Sequence, residues 1–110
     1  MNWIELLDMA QLETIKDESA AQPVVIFKHS TRCSISSMAK SRLERSEAPQ
    51  NILFYHLDLI RCRDISNKVA DVFGVHHESP QILLIKDGAC VYDESHNGIA
   101  MEDITEAASA

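Results

Sequence analysis

A chain of 110 residues, 45% hydrophobic and 25% charged, has the composition of one ordinary globular domain with one modest core. Its formal net charge of −7 works against nonspecific nucleic-acid binding, and no apolar run approaches the roughly 20 residues needed to span a bilayer. Three cysteines, an odd count without paired spacing, speak against a disulfide framework, and no four-ligand metal spacing occurs. The first residues hold Glu5 and Asp8 and no basic segment, so no secretory leader is expected and the expected compartment is the cytoplasm.

In chain order, Trp3 to Leu7 reads as a short extended segment. Asp8 has the character of an N-cap, with Gln11 as its capping-box partner. Met9, Leu12 and Ile15 then form the stripe of a helix ending near Ser19. Ala20 to Pro23 links to Val24–Phe27, a β-branched apolar run expected to be a strand buried on both faces. A polar elbow follows from Lys28 to Arg32, and then Cys33. Beyond it Ile35, Met38, Ala39 and Leu43 recur at helical spacing, which predicts a helix from about Ser34 to Arg45 with those four residues facing the sheet.

Ser46 to Asn51, with Pro49, is a loop. Ile52 to Leu59 is the next strand, with Leu53, Tyr55 and Leu57 on one face. Asp64 is the expected N-cap of a helix to Phe73, closed by Gly74 at C′ and Val75 as the contact after it. Gln81 to Lys86 and Ala89 to Tyr92 read as strands joined by the hairpin dipeptide Asp87-Gly88. Asn97-Gly98 is a second turn, and Met101 to Ala108 a closing helix with Ile104 inward. The order βαβα, β-hairpin, helix predicts an α/β domain over residues 1–110, a central mixed β-sheet with helices on both faces.

Cys33 sits where a buried strand hands over to a helix. Free backbone N–H groups and the positive end of the helix dipole converge there, and the cations Lys28 and Arg32 lie close by in sequence. Such a place favours the nucleophilic thiolate over a buried, inert thiol. Cys62 lies between Arg61 and Arg63 on the same sheet edge and is expected to have no chemical task. Cys90 alternates with Val91 and is expected in the core. His76 and His77 lack a third metal ligand at suitable spacing, so a structural or substrate-facing role is expected.

The string His29-Ser30-Thr31-Arg32-Cys33-Ser34-Ile35-Ser36, with His77-Glu78-Ser79-Pro80-Gln81 downstream, resembles the monothiol bacilliredoxins of the bacillithiol redox system, a thioredoxin-like family. The resemblance runs from Trp3 to the last helix. It implies a monothiol thiol–disulfide oxidoreductase with Cys33 as nucleophile and Ser36 where dithiol relatives carry a resolving cysteine. It implies Ser79 and a cis Pro80 as a substrate-facing turn, and Arg32 and His29 as neighbours for the malate moiety of bacillithiol. The implied partners are bacillithiolated client proteins and a low-molecular-weight thiol. Bacillithiol would be a co-substrate, with no bound cofactor. Members of this family often carry proline directly after the cysteine, where this chain has Ser34. Two other readings stay open at this level: an iron–sulfur-binding module like the monothiol glutaredoxins, whose signature has Gly and Phe where Ser34 and Ile35 stand, and a stress adaptor in which Cys33 is only oxidised and reduced.

Overall fold

The computed structural model describes all 110 residues. The elements are β1 (Trp3–Glu5), α1 (Gln11–Glu18), β2 (Val24–His29), α2 (Ser34–Arg45), β3 (Leu53–Asp58), α3 (Arg63–Phe73), β4 (Gln81–Lys86), β5 (Ala89–Ser95), a 3-10 turn at His96–Gly98, and α4 (Met101–Ser109). The five strands form one mixed sheet in the order β1-β3-β2-β4-β5. β1 and β2 run parallel to β3; β4 runs antiparallel to both β2 and β5. This is the expected α/β architecture, with β1 added as a short edge.

Two apolar layers hold the sheet. On one face Val24 and Ile26 of β2, Tyr55 and Leu57 of β3 and Leu83 and Ile85 of β4 pack with Leu12 and Ile15 of α1 and Ile65 and Val69 of α3. On the other, Val25 and Phe27, Phe54, Ile82 and Leu84 pack with Ala39 and Leu43 of α2 and Met101 and Ile104 of α4. Each fully buried Ile, Leu or Phe side chain contributes about 1.5–3 kcal/mol. This burial matters most for α2, in which four of twelve residues are serine and intrinsic propensity is low.

Several boundaries and faces differ from the sequence reading. β2 runs on through Lys28 and His29, both buried, so the elbow is shorter than expected and begins at Ser30. α2 is rotated: Ser36, Ala39 and Leu43 are its buried residues, while Ile35 and Met38 are exposed. Ser36, Ala39 and Leu43 follow the same i, i+3, i+7 spacing, so a polar residue occupies a core position that hydrophobicity alone assigned elsewhere. α1 begins at Gln11, and Met9 before it is exposed instead of buried. The N-cap of α1 is therefore Ala10, not Asp8, and it has no side-chain cap. Asp8 and Gln11 instead tie the turn ahead of the helix, with Asp8 Oδ1 accepting from the Ala10 N–H at 2.8 Å and Gln11 Oε1 from the Asp8 N–H at 3.0 Å. The residue capping α3 is Cys62, not Asp64. Asp58 instead uses its carboxylate on the Ile60 and Arg61 N–H groups ahead of it. β5 extends to Ser95, three residues past the expected end, because β4 offers a partner along its whole length.

Gly74 takes the left-handed conformation expected of a C′ residue, φ 64°, and the Val75 N–H reaches back to the Ala70 carbonyl at 3.1 Å. A Cβ at Gly74 would meet nothing within 4 Å. Gly74→Ala should therefore cost only the backbone penalty, about 1 kcal/mol, read as a shift in the urea midpoint with unchanged slope. A loss several times larger would mean that the position serves packing as well.

Candidate active site

The site forms at the C-terminal ends of β2 and β3, the edge where strands hand over to helices. β2 pairs with β3 up to His29 opposite Asp58, and the Leu59 N–H closes onto the His29 carbonyl at 3.0 Å. The chain then turns tightly. The Cys33 N–H donates to the Ser30 carbonyl at 3.1 Å, with Thr31 and Arg32 exposed at the corner. Cys33 is the N-cap of α2, in extended conformation, and its carbonyl accepts the Ser37 N–H at 3.1 Å. Its thiol is partly exposed. Cys33 thus stands at the free amide end of a twelve-residue helix, where the dipole favours negative charge, with its side chain not hydrogen-bonded to those amides.

Ser36 is completely buried. Its Oγ accepts the Ser30 N–H at 3.0 Å and lies 2.7 Å from His29 Nδ1. Burial, followed by the neighbouring His56, holds His29 below the usual histidine range. The neutral ring can therefore accept the one proton that the Ser36 hydroxyl has to give. So Ser36 and His29, expected beside the thiol as auxiliary and substrate-binding residues, are joined to each other. Together they lock the first turn of α2 onto the end of β2. His29 also stacks on Phe27, ring centroids 5.7 Å apart, and Phe27 on Trp3 at 5.6 Å. The Trp3 indole N–H and the Lys40 ammonium both donate to Glu44 Oε2, at 2.8 and 2.9 Å, which ties β1 to α2.

Lys28 does not lie beside the thiol as its sequence position suggested. By strand alternation it points to the face opposite α2, where it is fully buried and its ammonium donates to His77 Nδ1 at 3.2 Å. Burial lowers its pKa from 10.5 to about 8. Burial, then Lys28 itself, also lowers that of His77, leaving Nδ1 free to accept. The sequence reading missed this contact, because a lysine beside a buried apolar run looks like its polar boundary. The one available signal was two-residue alternation continued past Phe27.

His77 opens the segment that carries the Ser79-Pro80 bond, which is cis. Pro80 is buried, its carbonyl accepts the His96 N–H at 3.0 Å, and the Gln81 side chain braces the segment by donating to the His76 carbonyl at 3.0 Å. Lys28 and His29, neighbours on one strand, thus hold the Pro80 loop and the Cys33 turn respectively. Arg32 stays exposed. Cys62 caps α3 as Cys33 caps α2, but its side chain turns into the apolar layer under α3. The Cys90 thiol donates to the Tyr92 carbonyl at 3.4 Å, and burial pushes it up. All three cysteines are free, and no cluster of three His, Cys, Asp or Glu residues could hold a metal ion.

Two variants test this frame. Ser36→Ala leaves the Ser30 N–H and His29 Nδ1 without partners and should cost about 1–3 kcal/mol in urea unfolding. A negligible loss would show that water replaces the hydroxyl. Lys28 gives a pH signature. Between pH 8 and about 10.5 the unfolded chain keeps a proton that the native state has released, so the Lys28 contribution to stability rises with pH across that window. The stability of the wild type minus that of Lys28→Met should therefore climb from pH 8 to pH 10. A flat difference would mean that the amine is solvated.

The chain is similar to known proteins in sequence and in fold. A family model for the monothiol bacilliredoxin BrxC matches residues 4–104. A solved protein of thioredoxin fold is 29% identical with a TM-score of 0.83, over 94% of this chain and 91% of the other. Thioredoxin of Malassezia sympodialis, 17% identical, superposes with a TM-score of 0.73 over 98% and 89% of the two chains. Fasciola hepatica thioredoxin, 20% identical, gives 0.70 over 96% and 95%. These last two carry the fold alone. No helix is long and apolar enough to cross a membrane.

Proposed function

The chain belongs to the monothiol bacilliredoxin family, thiol–disulfide oxidoreductases of the bacillithiol system, and on that premise we propose that Cys33 strips bacillithiol from mixed disulfides on client proteins. The Cys33 thiolate attacks the bacillithiol sulfur of the client disulfide. The old S–S bond breaks, the client thiolate leaves and takes a proton, and Cys33 holds the bacillithiol. A second low-molecular-weight thiolate then attacks the bacillithiol sulfur, forming a small disulfide and freeing Cys33. Each step exchanges one S–S bond for another, so no external electron acceptor is consumed.

One observation carries this reading: a partly exposed thiol caps α2, and the residue one turn on is a serine already bound to His29 and Ser30. Release by an internal disulfide at that position is chemically closed, so an external thiol must resolve the adduct. In this reading the loop with the cis Ser79-Pro80 bond, braced by Lys28 through His77, meets the client through its backbone, since Pro80 and the Ser79 hydroxyl are buried. Arg32, exposed on the turn before the thiol, is suited by its fork geometry to a carboxylate of bacillithiol.

Turnover of a bacillithiolated client in a coupled assay should vanish in Cys33→Ser. It should stay within about twofold in Cys62→Ser, because a buried thiol reacts slowly. Loss of turnover in Cys62→Ser, together with a Cys33–Cys62 peptide in non-reducing mass analysis, would instead make Cys62 a resolving cysteine.

A further inference from the structure

The rotation of α2 leaves a surface that the exchange chemistry at Cys33 does not use. Residues 35, 38, 42 and 45 recur at i, i+3, i+7 and i+10 and share one outward side of the helix. Nearest Cys33 this side is apolar: Ile35 is 42% exposed and Met38 62%. Farther along it is cationic. Ser37 and Ser41, one turn apart, leave a hollow of about 350 Å3 between Met38, Arg42 and Arg45. A second hollow of about 320 Å3 shares the two arginines and runs to the start of α4, where Glu102 is the single carboxylate lining either space.

Arg42 is fixed in place. Its Nε and Nη2 donate to the Ile99 carbonyl at 3.3 and 2.9 Å, and Nη2 also to the His96 carbonyl at 3.3 Å. Carbonyls hold the guanidinium without cancelling its charge. The ion pairs of the structure use Lys16, Lys40, His56 and Lys68, so Arg42 and Arg45 are both unpaired. In a chain of net charge −7 this is a local inversion of sign. Helical rise puts the arginines about 13 and 18 Å along the axis from Cys33. An extended tripeptide spans only about 10 Å, so a small thiol of that size attached to Cys33 stops short of them. A client polypeptide reaches.

We propose that this side of α2 is the docking surface for client proteins. It takes an extended client segment with an apolar residue beside the modified cysteine and carboxylates about four to five residues farther on. The proposal rests on the bacilliredoxin reading of Cys33 and adds the chemistry by which clients are chosen.

The test uses synthetic peptides with one cysteine in mixed disulfide with bacillithiol, a leucine beside it, and either glutamates or lysines at the fourth and fifth positions beyond. Wild-type protein should show about fivefold higher kcat/KM for the glutamate peptide, expressed in KM, and the ratio should shrink as salt is raised. In Arg45→Glu and in Ser41→Glu, either of which puts a carboxylate in the hollow, the ratio should fall to one or below. Equal kcat/KM for the two peptides in the wild type would overturn the proposal, as would a preference that survives both substitutions. Failure of the wild type to turn over either peptide is a different result and would remove the bacilliredoxin reading beneath it.

Discussion

The site depends on how a strand buried on both faces disposes of two polar side chains at its end. All six residues of β2 are buried, and the last two are Lys28 and His29. A buried polar group without a partner costs more than a hydrogen bond returns, so each must be met on its own face. Lys28 meets His77 at 3.2 Å, and His29 meets Ser36 at 2.7 Å. One contact leads to the loop with Pro80, the other to the turn that carries Cys33. The loop with Pro80 and the turn with Cys33 are therefore both positioned from neighbouring residues of one strand. A strand central in a five-stranded sheet is the least mobile place from which to do this.

The same demand explains the exposed side of α2. For Ser36 to reach the end of β2 it must occupy an inward position, and Ala39 and Leu43 follow it. Ile35 and Met38 are then carried outward. The helix gives up part of the burial of Ile35 and Met38, 42% and 62% exposed, where full burial of each is worth about 1.5–3 kcal/mol. In exchange it gains a satisfied polar contact beneath the turn that carries Cys33. A local sacrifice of packing in favour of geometry is common at functional sites.

The three cysteines show how place decides chemistry. Cys33 and Cys62 each follow a strand of the same parallel pair, four residues past His29 and Asp58, which face each other in register. Each caps a helix. The helices pack on opposite faces of the sheet, and the Cys62 side chain folds under α3 into the core whereas the Cys33 thiol stays partly open. Cys90 is half-buried and engaged by the Tyr92 carbonyl. Equivalent backbone positions thus yield one accessible thiol and one core side chain.

By itself the sequence determined the element order, the α/β class, the left-handed Gly74, the hairpin at Asp87-Gly88 and the placement of Cys33 at a helix start. These follow from local chemistry: apolar period, turn residues and caps act over a few neighbouring positions. The family motif around Cys33 and Pro80 was legible for the same reason, since it lies in two short strings. Only the tertiary structure decided which face of α2 is buried, where Lys28 goes, and that Ser36 binds His29 and Ser30. Each of those is settled by a partner that the local string does not supply, such as His77, 49 residues from Lys28. Apolar spacing ranks residues by hydrophobicity, and a hydrogen bond waiting at the end of a neighbouring strand outweighs that ranking once the buried group would otherwise be left unpaired.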